Sequence, residues 1–549
     1  MLWQLLSDEE PLLAMAAQRL SSFSEREGTL EILVPSASRP LSGLLTSLGI
    51  AADREAFAFE MLPGIHRIPC GSIILLLHRT ASAVPWRETE TAPDLIFALG
   101  TEKTGALRGL MKENTLLVFH QNPLKIAPVF VEKEGGFCLS CVSKQDKSTF
   151  VKRSDEVLVV GGGLAGAMTA YALSVRGQRV RLIDEGCVPG SGASALYAGL
   201  IHPHWQASDS PLFQLTRAGF EAMIPLLQTF PAAFQPVGVL DAASSEAEYE
   251  RWEKAVREGC PHPMPEDFAK LVSKDEAQVL AGLSLSRGGW WFPRAGLVHA
   301  GMLCRLLAEK SGASILTGTR VKLRRDTGGW CAVNAGGTVV GQAPTAVVCA
   351  ALGTAQVLDI PRDWLGMSGL YGRISLLRDT DLPTLKTALT GDGYAARTTD
   401  GFCAVGATYE VGESPQVSEA EAHAHNLSTF PKLLNESVET IARGFYEGVR
   451  AVAQDRMPLA GRGFTRAEID GLKYRGIPEV DAIPRAENLW ICAGLGSRGI
   501  TWGLAAAQYV AAGICEETPA LKKSLIAGMD PARFMPKLLG CRAHGRSVN

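Results

Sequence analysis

The chain lacks the features that mark membrane and secreted proteins. None of its apolar runs reaches the roughly 18 residues needed to cross a bilayer. The most apolar late segment, from Leu489 to Ile514, is interrupted by Arg498 and Gln508. The N-terminus has neither the positive start nor the uninterrupted apolar core of a signal peptide, because acidic residues begin at Asp8. We therefore expect a cytoplasmic protein with no membrane span.

The chain also has a small net charge and lacks a regular pairing of its cysteines. A net charge of −3 excludes a globally basic protein, although it leaves room for a local basic face. The twelve cysteines do not show the spacing of a disulfide framework. One CxxC, Cys138 to Cys141, has no second pair nearby to complete a zinc site, and the HxH of His202 and His204 lies in a loop that belongs to another motif. We expect free thiols and no metal.

The length of the chain calls for more than one domain. Its 549 residues exceed the roughly 250 to 300 residues at which a single core stops growing. The charged run from Lys147 to Glu156 is the natural linker, so we predict a first region of residues 1–150 and a second of 151–549. Apolar runs in the first region predict a small α/β lobe; they are Thr29 to Val34, Ser72 to Leu77, Asp94 to Ala98 and Thr115 to Phe119.

The second region begins with a βαβ pattern. A strand over Val157 to Val160, a helix over Ala165 to Arg176 and a strand over Arg179 to Ile183 follow one another directly. Further strands are predicted at Ala346 to Ala350, Arg373 to Leu377, Phe402 to Ala407 and Leu489 to Ala493. The stretches from Leu212 to Leu280 and from Glu419 to Tyr446 look helical.

A glycine-rich loop joins the first of these strands to its helix. Gly161, Gly163 and Gly166 have GxGxxG spacing, which permits a tight turn, close approach to a pyrophosphate and close helix packing. The helix N-terminus then presents unpaired N–H groups to the phosphates. Asp184 ends the second strand, where an acid that holds a ribose hydroxyl is expected. The motif predicts a dinucleotide site but does not choose between NAD and FAD, and a glycine-rich turn in an unrelated α/β protein is the alternative.

Later segments carry a family resemblance. The loop GSGASALYAGLIHP, Gly190 to Pro203, resembles the one after the second strand in the D-amino-acid oxidase and glycine oxidase superfamily of flavoproteins. Within it the chain is most similar to the oxidoreductase half of the MnmC family of bifunctional enzymes that modify the tRNA wobble uridine. Residues 195–198 depart from that family's loop. Four other segments match in order: Gly288 to Leu307 with Val347 to Ala355, Gly391 to Glu410, Gly448 to Gly461 and Ala493 to Gly503.

The resemblance implies FAD as the cofactor and a mixed α/β fold. That fold has a Rossmann-like FAD-binding domain, built from about 155–210, 290–360 and 445–520, with an inserted mixed-sheet substrate domain, built from about 211–289 and 361–444. The small α/β lobe precedes both. The expected cofactor-binding residues are Gly161, Gly163, Leu164, Ala165, Gly166, Asp184, Ser194, Gly199, Gly496, Ser497, Gly499 and Ile500.

The resemblance also implies an amine oxidation. Arg450 lies where glycine-oxidase-like enzymes place the arginine that binds the substrate carboxylate, and Arg498 and Tyr394 are the next candidates. Tyr409 and His202 are weaker ones, and a salt bridge is the alternative for each arginine. The expected substrate is the carboxymethylaminomethyl group of a tRNA wobble uridine, which would yield aminomethyluridine and glyoxylate with molecular oxygen as electron acceptor. The alternatives are a small-molecule glycine, sarcosine or D-amino-acid oxidase and a non-catalytic flavoprotein.

The first region resembles part of the methyltransferase half of the same family. Met61 to Arg79 and Val129 to Lys144 are similar to two of its segments, whereas Ala98 to Ala106 stands where that half has its acidic substrate motif. The glycine loop for S-adenosylmethionine would lie ahead of the segment LWQLL. We therefore expect a degenerate lobe without methyltransferase activity, retained for packing or for docking tRNA.

Overall fold

The computed structural model describes the backbone of eight strands in the first 155 residues and most of the chain after them. From Glu156 it describes residues 156–543 apart from 207–209, 259–265, 267, 379–384, 434–441, 473–475, 516–518 and 520, with no side chains at 430–433 and 540–543. Across these described ranges no helix combines the length and apolar character of a bilayer span. The chain divides into two compact units, Met1–Val151 with His262–Pro265 and Glu516–Ser524, and Lys152–Pro261 with Glu266–Cys515 and Leu525–Asn549.

The first unit contains an eight-stranded mixed sheet in the order β3-β4-β2-β1-β5-β6-β8-β7. Its central strands are parallel, and antiparallel strands flank them on both sides. The four apolar runs of the sequence are confirmed as strands of this sheet. The bounds are β1 Leu2–Leu5, β2 Gly28–Pro35, β3 Gly64–Cys70, β4 Ile73–Thr80, β5 Leu95–Ala98, β6 Leu116–Phe119, β7 Val131–Glu134 and β8 Phe137–Cys141. The segment Ala98 to Ala106, apart from its first residue, lies outside the described residues.

The second unit is organised around a six-stranded sheet in the order β17-β10-β9-β21-β29-β28. All neighbours are parallel except β28 and β29. The buried strands are continuous apolar runs, as expected where helices cover both faces of a parallel sheet. The bounds are β9 Glu156–Val160, β10 Arg179–Ile183, β17 Ser314–Leu316, β21 Thr345–Val348, β28 Leu459–Arg462 and β29 Leu489–Ala493.

A nine-stranded sheet forms the other layer of this unit. Its order is β14-β15-β13-β23-β24-β25-β22-β26, and β27 also pairs with β22. One face packs on a buried cluster that includes Leu240, Val405 and Leu389, so the opposite face is left for the site described below. The bounds are β13 Val239–Ala242, β14 Lys270–Val272, β15 Gly289–Phe292, β22 Met367–Arg378, β23 Ala388–Thr390, β24 Tyr394–Arg397, β25 Phe402–Gly406, β26 Glu410–Val411 and β27 Gly444–Ala453.

Two three-stranded sheets and eleven described helices complete this part of the chain. The sheets are β11-β16-β12, with bounds Gly199–Ile201, Gly296–Val298 and Phe234–Gln235, and β18-β19-β20, with bounds Val321–Asp326, Gly329–Asn334 and Val339–Ala343. The helices are α1 Leu164–Ser174, α2 Pro211–Gln228, α3 Glu246–Arg257, α4 Lys274–Ala281, α5 Ala300–Lys310, α6 Thr354–Leu358, α7 Glu419–Leu433, α8 Arg466–Ile469, α9 Gly499–Ile514, α10 Lys523–Met529 and α11 Met535–Ala543.

Two of the helical stretches expected from the sequence are partly wrong. The stretch from Leu212 to Leu280 also contains β12, β13 and β14, whose two to four residues are too short to show a strand period. The stretch from Glu419 to Tyr446 enters β27 at Gly444. That strand was expected in the cofactor domain, but it pairs along its length with β22 and belongs to the nine-stranded sheet.

Candidate active site

The glycine loop between β9 and α1 is closed by steric contacts that only glycine allows. Gly161 has φ +106°, and an added Cβ would lie 2.5 Å from the carbonyl oxygen of Cys349. At Gly166 an added Cβ would lie 1.7 Å from the carbonyl oxygen of Gly161. The loop backbone is therefore fixed by its own neighbours.

Asp184, at the end of β10, holds the other side of this loop. Its carboxylate accepts hydrogen bonds from the backbone N–H groups of Gly162 and, at 2.6 Å, of Gly186. Burial raises the pKa of Asp184, and these two backbone hydrogen bonds oppose the shift. The acid that the sequence predicted beside the loop therefore contacts it directly, while its role toward a ribose hydroxyl stays a prediction.

The loop from Gly190 to Gly199 joins the glycine loop to the late segments of the chain. Ser194 accepts a 3.1 Å hydrogen bond at Oγ from the backbone N–H of Leu164, the first residue of α1. Gly199 lies against Ile500, because an added Cβ would be 2.3 Å from the Ile500 Cδ1 atom. Two residues singled out in distant parts of the sequence are thus neighbours.

The segment from Ala493 to Gly503 brings a second helix N-terminus next to that of α1. Gly496, Ser497 and Arg498 form a 3₁₀ turn, and α9 begins at Gly499. An added Cβ at Gly499 would lie 3.7 Å from the side chain of Leu164, so the first turns of α1 and α9 are adjacent. Ser497 is exposed, and Gly496 has φ +58°.

These features fit the pyrophosphate part of FAD. The N-terminus of α1 has Gly163 as its N-cap, no side-chain capping bond from that residue and no acid in its first turn. Backbone N–H groups and the positive end of the helix dipole are therefore available to an anion. The residues that would hold the cofactor here are those of the glycine loop, with Ala165 and Gly166 buried in the first turns of α1.

The face of the nine-stranded sheet opposite that apolar cluster carries the polar candidates. Register aligns Tyr394 with Gly406, Gly406 with Ile374, and Ile374 with Tyr446 across four strands. Directly paired residues point to the same face, and so do residues four apart on one strand. Arg450 is four residues after Tyr446 on β27, so it shares this face with Tyr394.

Neighbouring residues on that face fix the position of Arg450. Its partner on β22 is Leu370, and an added Cβ at Gly372 would lie 2.9 Å from the Arg450 Nη1 atom. Its guanidinium carbon lies 5.1 Å from the ring centroid of Tyr409. Nη1 is buried and has no hydrogen-bond partner among the described residues. A buried donor without a partner is costly, and a ligand at this position would satisfy it.

A second unpaired group lies with it. The hydroxyl of Tyr394 is also buried without a partner in the described part of the chain. Burial raises the pKa of Tyr394, and the nearby Arg450 guanidinium opposes the shift. Burial likewise raises the pKa of Tyr446 to about 12, again against Arg450. Both phenols therefore stay protonated at neutral pH. The Tyr394 hydroxyl is a donor without a partner beside a fixed positive charge, a pair suited to a carboxylate, whereas the Tyr446 hydroxyl donates to backbone carbonyl oxygens.

Arg498 adds a second cation to the region. Burial lowers its pKa, and the neighbouring Arg456 guanidinium lowers it further. His202 and His204 are uncharged at neutral pH, because burial lowers the pKa of each to about 4. His202 contacts the Pro203 carbonyl oxygen through Nδ1 at 2.9 Å. No group of three His, Cys, Asp or Glu side chains suited to a metal occurs within the described ranges.

Sequence reasoning missed two residues that shape the site. Tyr446 donates from its hydroxyl to the carbonyl oxygens of Gly192 and Ala193 at 3.0 and 3.1 Å, which ties β27 to the loop before Ser194. Its position four residues before Arg450 on a strand is a signal that could have found it. Gly372 makes room for Arg450, but nothing in the sequence shows that the two strands pair.

Comparison with known proteins identifies the matched region. The model of the FAD dependent oxidoreductase family, DAO, matches residues 156–512. The chain is 32% identical over 417 residues to the tRNA 5-methylaminomethyl-2-thiouridine biosynthesis bifunctional protein MnmC of Ralstonia nicotianae, covering 71% of this chain and 61% of that one. The MnmC of Cupriavidus necator is 32% identical over 403 residues, with 70% and 60% covered. The match thus spans about 60% of the length of these relatives.

Solved structures share the fold. Glycine oxidase from Geobacillus kaustophilus superposes with a TM-score of 0.55 at 22% identity, covering 70% of this chain and 99% of that one. Iminodiacetate oxidase from Chelativorans sp. BNC1 gives a TM-score of 0.53 at 22% identity, with 66% and 95% covered. The mixed α/β fold expected from the sequence is confirmed.

Proposed function

Because the chain belongs to the family of FAD dependent oxidoreductases, we propose that it oxidises the carboxymethylaminomethyl group of 5-carboxymethylaminomethyluridine, or its 2-thio form, at the tRNA wobble position. The products are aminomethyluridine and glyoxylate. The similarity to MnmC proteins, whose name states tRNA 5-methylaminomethyl-2-thiouridine biosynthesis, supports the tRNA substrate. The substituent is a glycine attached through its nitrogen, so the reacting group is an N-substituted amino acid.

The observation that carries the proposal is the pair of buried donors on the sheet face opposite the apolar cluster. Arg450 Nη1 and the Tyr394 hydroxyl have no partner among the described residues. A carboxylate accepts from both at once, and charge-assisted hydrogen bonds are about twice as strong as neutral ones. Holding the carboxylate at Arg450 fixes the adjacent C–H bond in the orientation that hydride transfer requires.

The chemistry divides between the protein and its cofactor. When bound, FAD would supply the acceptor for one hydride, which carries both electrons, from the carbon beside the amine. The amine proton leaves to water, an imine forms in the substrate, and water then cleaves it into an amine and glyoxylate. His202 and His204 add no positive charge near the amine at neutral pH, since burial lowers the pKa of each to about 4. Molecular oxygen would reoxidise the flavin.

The test compares two substrates. The purified flavoprotein is incubated with tRNA bearing carboxymethylaminomethyluridine and, separately, with glycine and N-methylglycine. We expect glyoxylate from the tRNA together with a nucleoside lighter by the carboxymethyl group. Conversion of glycine or N-methylglycine without conversion of tRNA would replace this proposal by a small-molecule amino-acid oxidase, which the same carboxylate site accommodates.

The first unit is proposed to lack methyltransferase activity. The segment Ala98 to Ala106 has no acidic substrate motif of the kind found in the methyltransferase half of the family. Calorimetric titration with S-adenosylmethionine tests this, and we expect no binding heat. Saturable binding would show that the lobe retains a methyl-donor site.

A further inference from the structure

The rim of the carboxylate pocket carries an exposed aromatic ring. Tyr409 is 55% exposed, just before β26. One side of its ring is covered by the guanidinium of Arg450, at 5.1 Å from the centroid. The exposed part of the ring remains open to a flat apolar ligand, so a group stacked there would lie directly above the arginine of the pocket. Aromatic side chains in such a position stack nucleobases.

Two further cations, Arg456 and Arg498, lie on segments that adjoin one another, since Val452 on β27 bridges to Leu495 before the 3₁₀ turn. Tyr409 and Arg456 both shift the pKa of Arg498. Arg456 is exposed and has φ +63°, a conformation that non-glycine residues seldom adopt and that concentrates at functional sites. Neither Arg456 nor Arg498 makes an ion pair with a carboxylate among the described residues. Two guanidinium groups on adjoining segments, without an ion-pair partner among the described residues, favour an anion.

The neighbouring carboxylates are engaged elsewhere. Asp455, next to Arg456 in the chain, accepts hydrogen bonds from Nε and Nη2 of Arg533 at 2.7 and 2.8 Å. Glu410, next to Tyr409, accepts from the backbone N–H groups of Gln416 and, at 3.0 Å, Val417. Asp455 is therefore paired with Arg533, and Glu410 forms no ion pair with Arg456 or Arg498 among the described residues.

We propose that Tyr409, Arg456 and Arg498 form a nucleotide-binding rim. The pyrimidine base stacks on the exposed ring of Tyr409, and a phosphate of the same strand binds between Arg456 and Arg498. A substituent at C5 of the stacked base then extends past the Tyr409 ring to Arg450. This inference rests on the proposed function and extends it, because it assigns the residues that distinguish a nucleotide from a free amino acid.

Three ligands of increasing size test the rim step by step. Methoxyacetate contains only the carboxylate arm, 5-carboxymethoxymethyluridine adds the base, and its 5′-monophosphate adds the phosphate. An ether oxygen replaces the amine in each, so none is oxidised. Dissociation constants for the full-length flavoprotein are measured by calorimetry and by the change in the flavin absorption spectrum.

For the wild type we expect each addition to tighten binding, with about tenfold or more gained from the base. Tyr409→Ala should abolish the gain from the base, measured as the ratio of the methoxyacetate and nucleoside dissociation constants, whereas Tyr409→Phe, which keeps the ring beside Arg450, should keep that gain. Arg456→Asn should abolish the gain from the phosphate alone, since asparagine tolerates the left-handed backbone. Arg324→Asn, on the three-stranded sheet β18-β19-β20, is the control for loss of an exposed charge and should change nothing.

The outcomes distinguish a failure of this inference from a failure of the proposed function. If the wild type converts tRNA but binds the three ligands equally, or if Tyr409→Ala weakens methoxyacetate as much as the nucleoside, the rim is wrong and the function stands. If tRNA is not converted, and the wild type binds methoxyacetate but gains nothing from the base, both proposals fail together.

Discussion

The cofactor loop and the substrate face of the second unit differ in whether their buried polar groups have hydrogen-bond partners within the protein. In the loop, polar groups find partners within the protein: Asp184 binds two backbone N–H groups and Ser194 binds a third. On the sheet face, Arg450 Nη1 and the Tyr394 hydroxyl are buried without partners in the described part of the chain. The loop is built to keep its shape without a ligand, whereas the sheet face retains polarity that only a ligand satisfies. Substitutions in the two regions should therefore fail in different ways.

The largest effect is expected in the loop. Gly166→Ala places a methyl group 1.7 Å from the Gly161 carbonyl oxygen, a backbone atom that cannot move aside without opening the turn. We expect loss of most bound flavin, measured as the ratio of flavin to protein absorbance after purification. Gly353→Ala is the matched control, because its nearest neighbour would be 3.7 Å away. Normal flavin content in Gly166→Ala would show that the loop is less constrained than its contacts indicate.

Arg450→Ala should leave the loop intact and remove the substrate. Truncating one partner of a buried charge pair costs about 2 to 5 kcal/mol, so kcat/KM should fall by about 1.5 to 3.7 orders of magnitude while the flavin spectrum is retained. Arg450→Lys should recover little of this, since an ammonium lacks the planar fork. If flavin is lost together with activity, Arg450 serves the cofactor and the contrast between the two regions breaks down.

Tyr394→Phe sharpens the comparison by removing an unpaired hydroxyl. The free protein should not be destabilised, because no hydrogen bond is lost, but substrate binding should weaken about tenfold, as for one hydrogen bond to a charged group. Tyr371→Phe is the matched change at a hydroxyl that is already paired with Glu447 and Arg373, and it should lower the free energy of unfolding. Thermal and urea unfolding of both variants, beside the KM, check this. A destabilised Tyr394→Phe protein would mean that its hydroxyl has a partner.

The smallest effect concerns Asp241, which register aligns through Thr390 with Tyr394 on the same face. Burial raises the pKa of Asp241 to about 7. The folded protein therefore holds a proton that the unfolded chain has released, so stability present at acidic pH is lost as the pH rises toward 7. Between pH 6 and pH 7 the wild type should lose about 1 kcal/mol relative to Asp241→Asn. Parallel pH profiles of urea unfolding for the two proteins measure the difference, and identical slopes would contradict it.

The sequence predicted the cofactor half in more detail than the substrate half for a physical reason. The glycine loop, α1 and the strands on either side lie within a short stretch, where apolar runs and glycine spacing report local geometry. The substrate face depends on pairing between β22 and β27, which are far apart in the sequence, so the seat that Gly372 provides for Arg450 has no local signature. The short strands between α2 and α4 were missed for a different reason, since two to four residues do not establish a period.

The exposed rim shows the limit of reasoning from motifs. Arg456 lies within the matched segment from Gly448 to Gly461, but the resemblance assigned it no role; it stands in a left-handed turn after β27, and Arg498 stands in a 3₁₀ turn before α9. Its adjacent acid, Asp455, suggests an ion pair in the sequence but is bound to Arg533 in the structure. Charges adjacent in the chain are therefore poor guides to which of them remain free.

The contact between Gly199 and Ile500 has a consequence for biosynthesis. Beside it, the Thr501 hydroxyl bonds the His202 carbonyl oxygen across a separation of 299 residues, and β29 completes the sheet next to β21. Such contacts close very long loops, which slows folding because chain entropy must be lost before the contact is gained. A nascent chain on the ribosome therefore has to release residues beyond 501 before the cofactor pocket is complete. Loading with flavin should be a late event that follows synthesis of this segment.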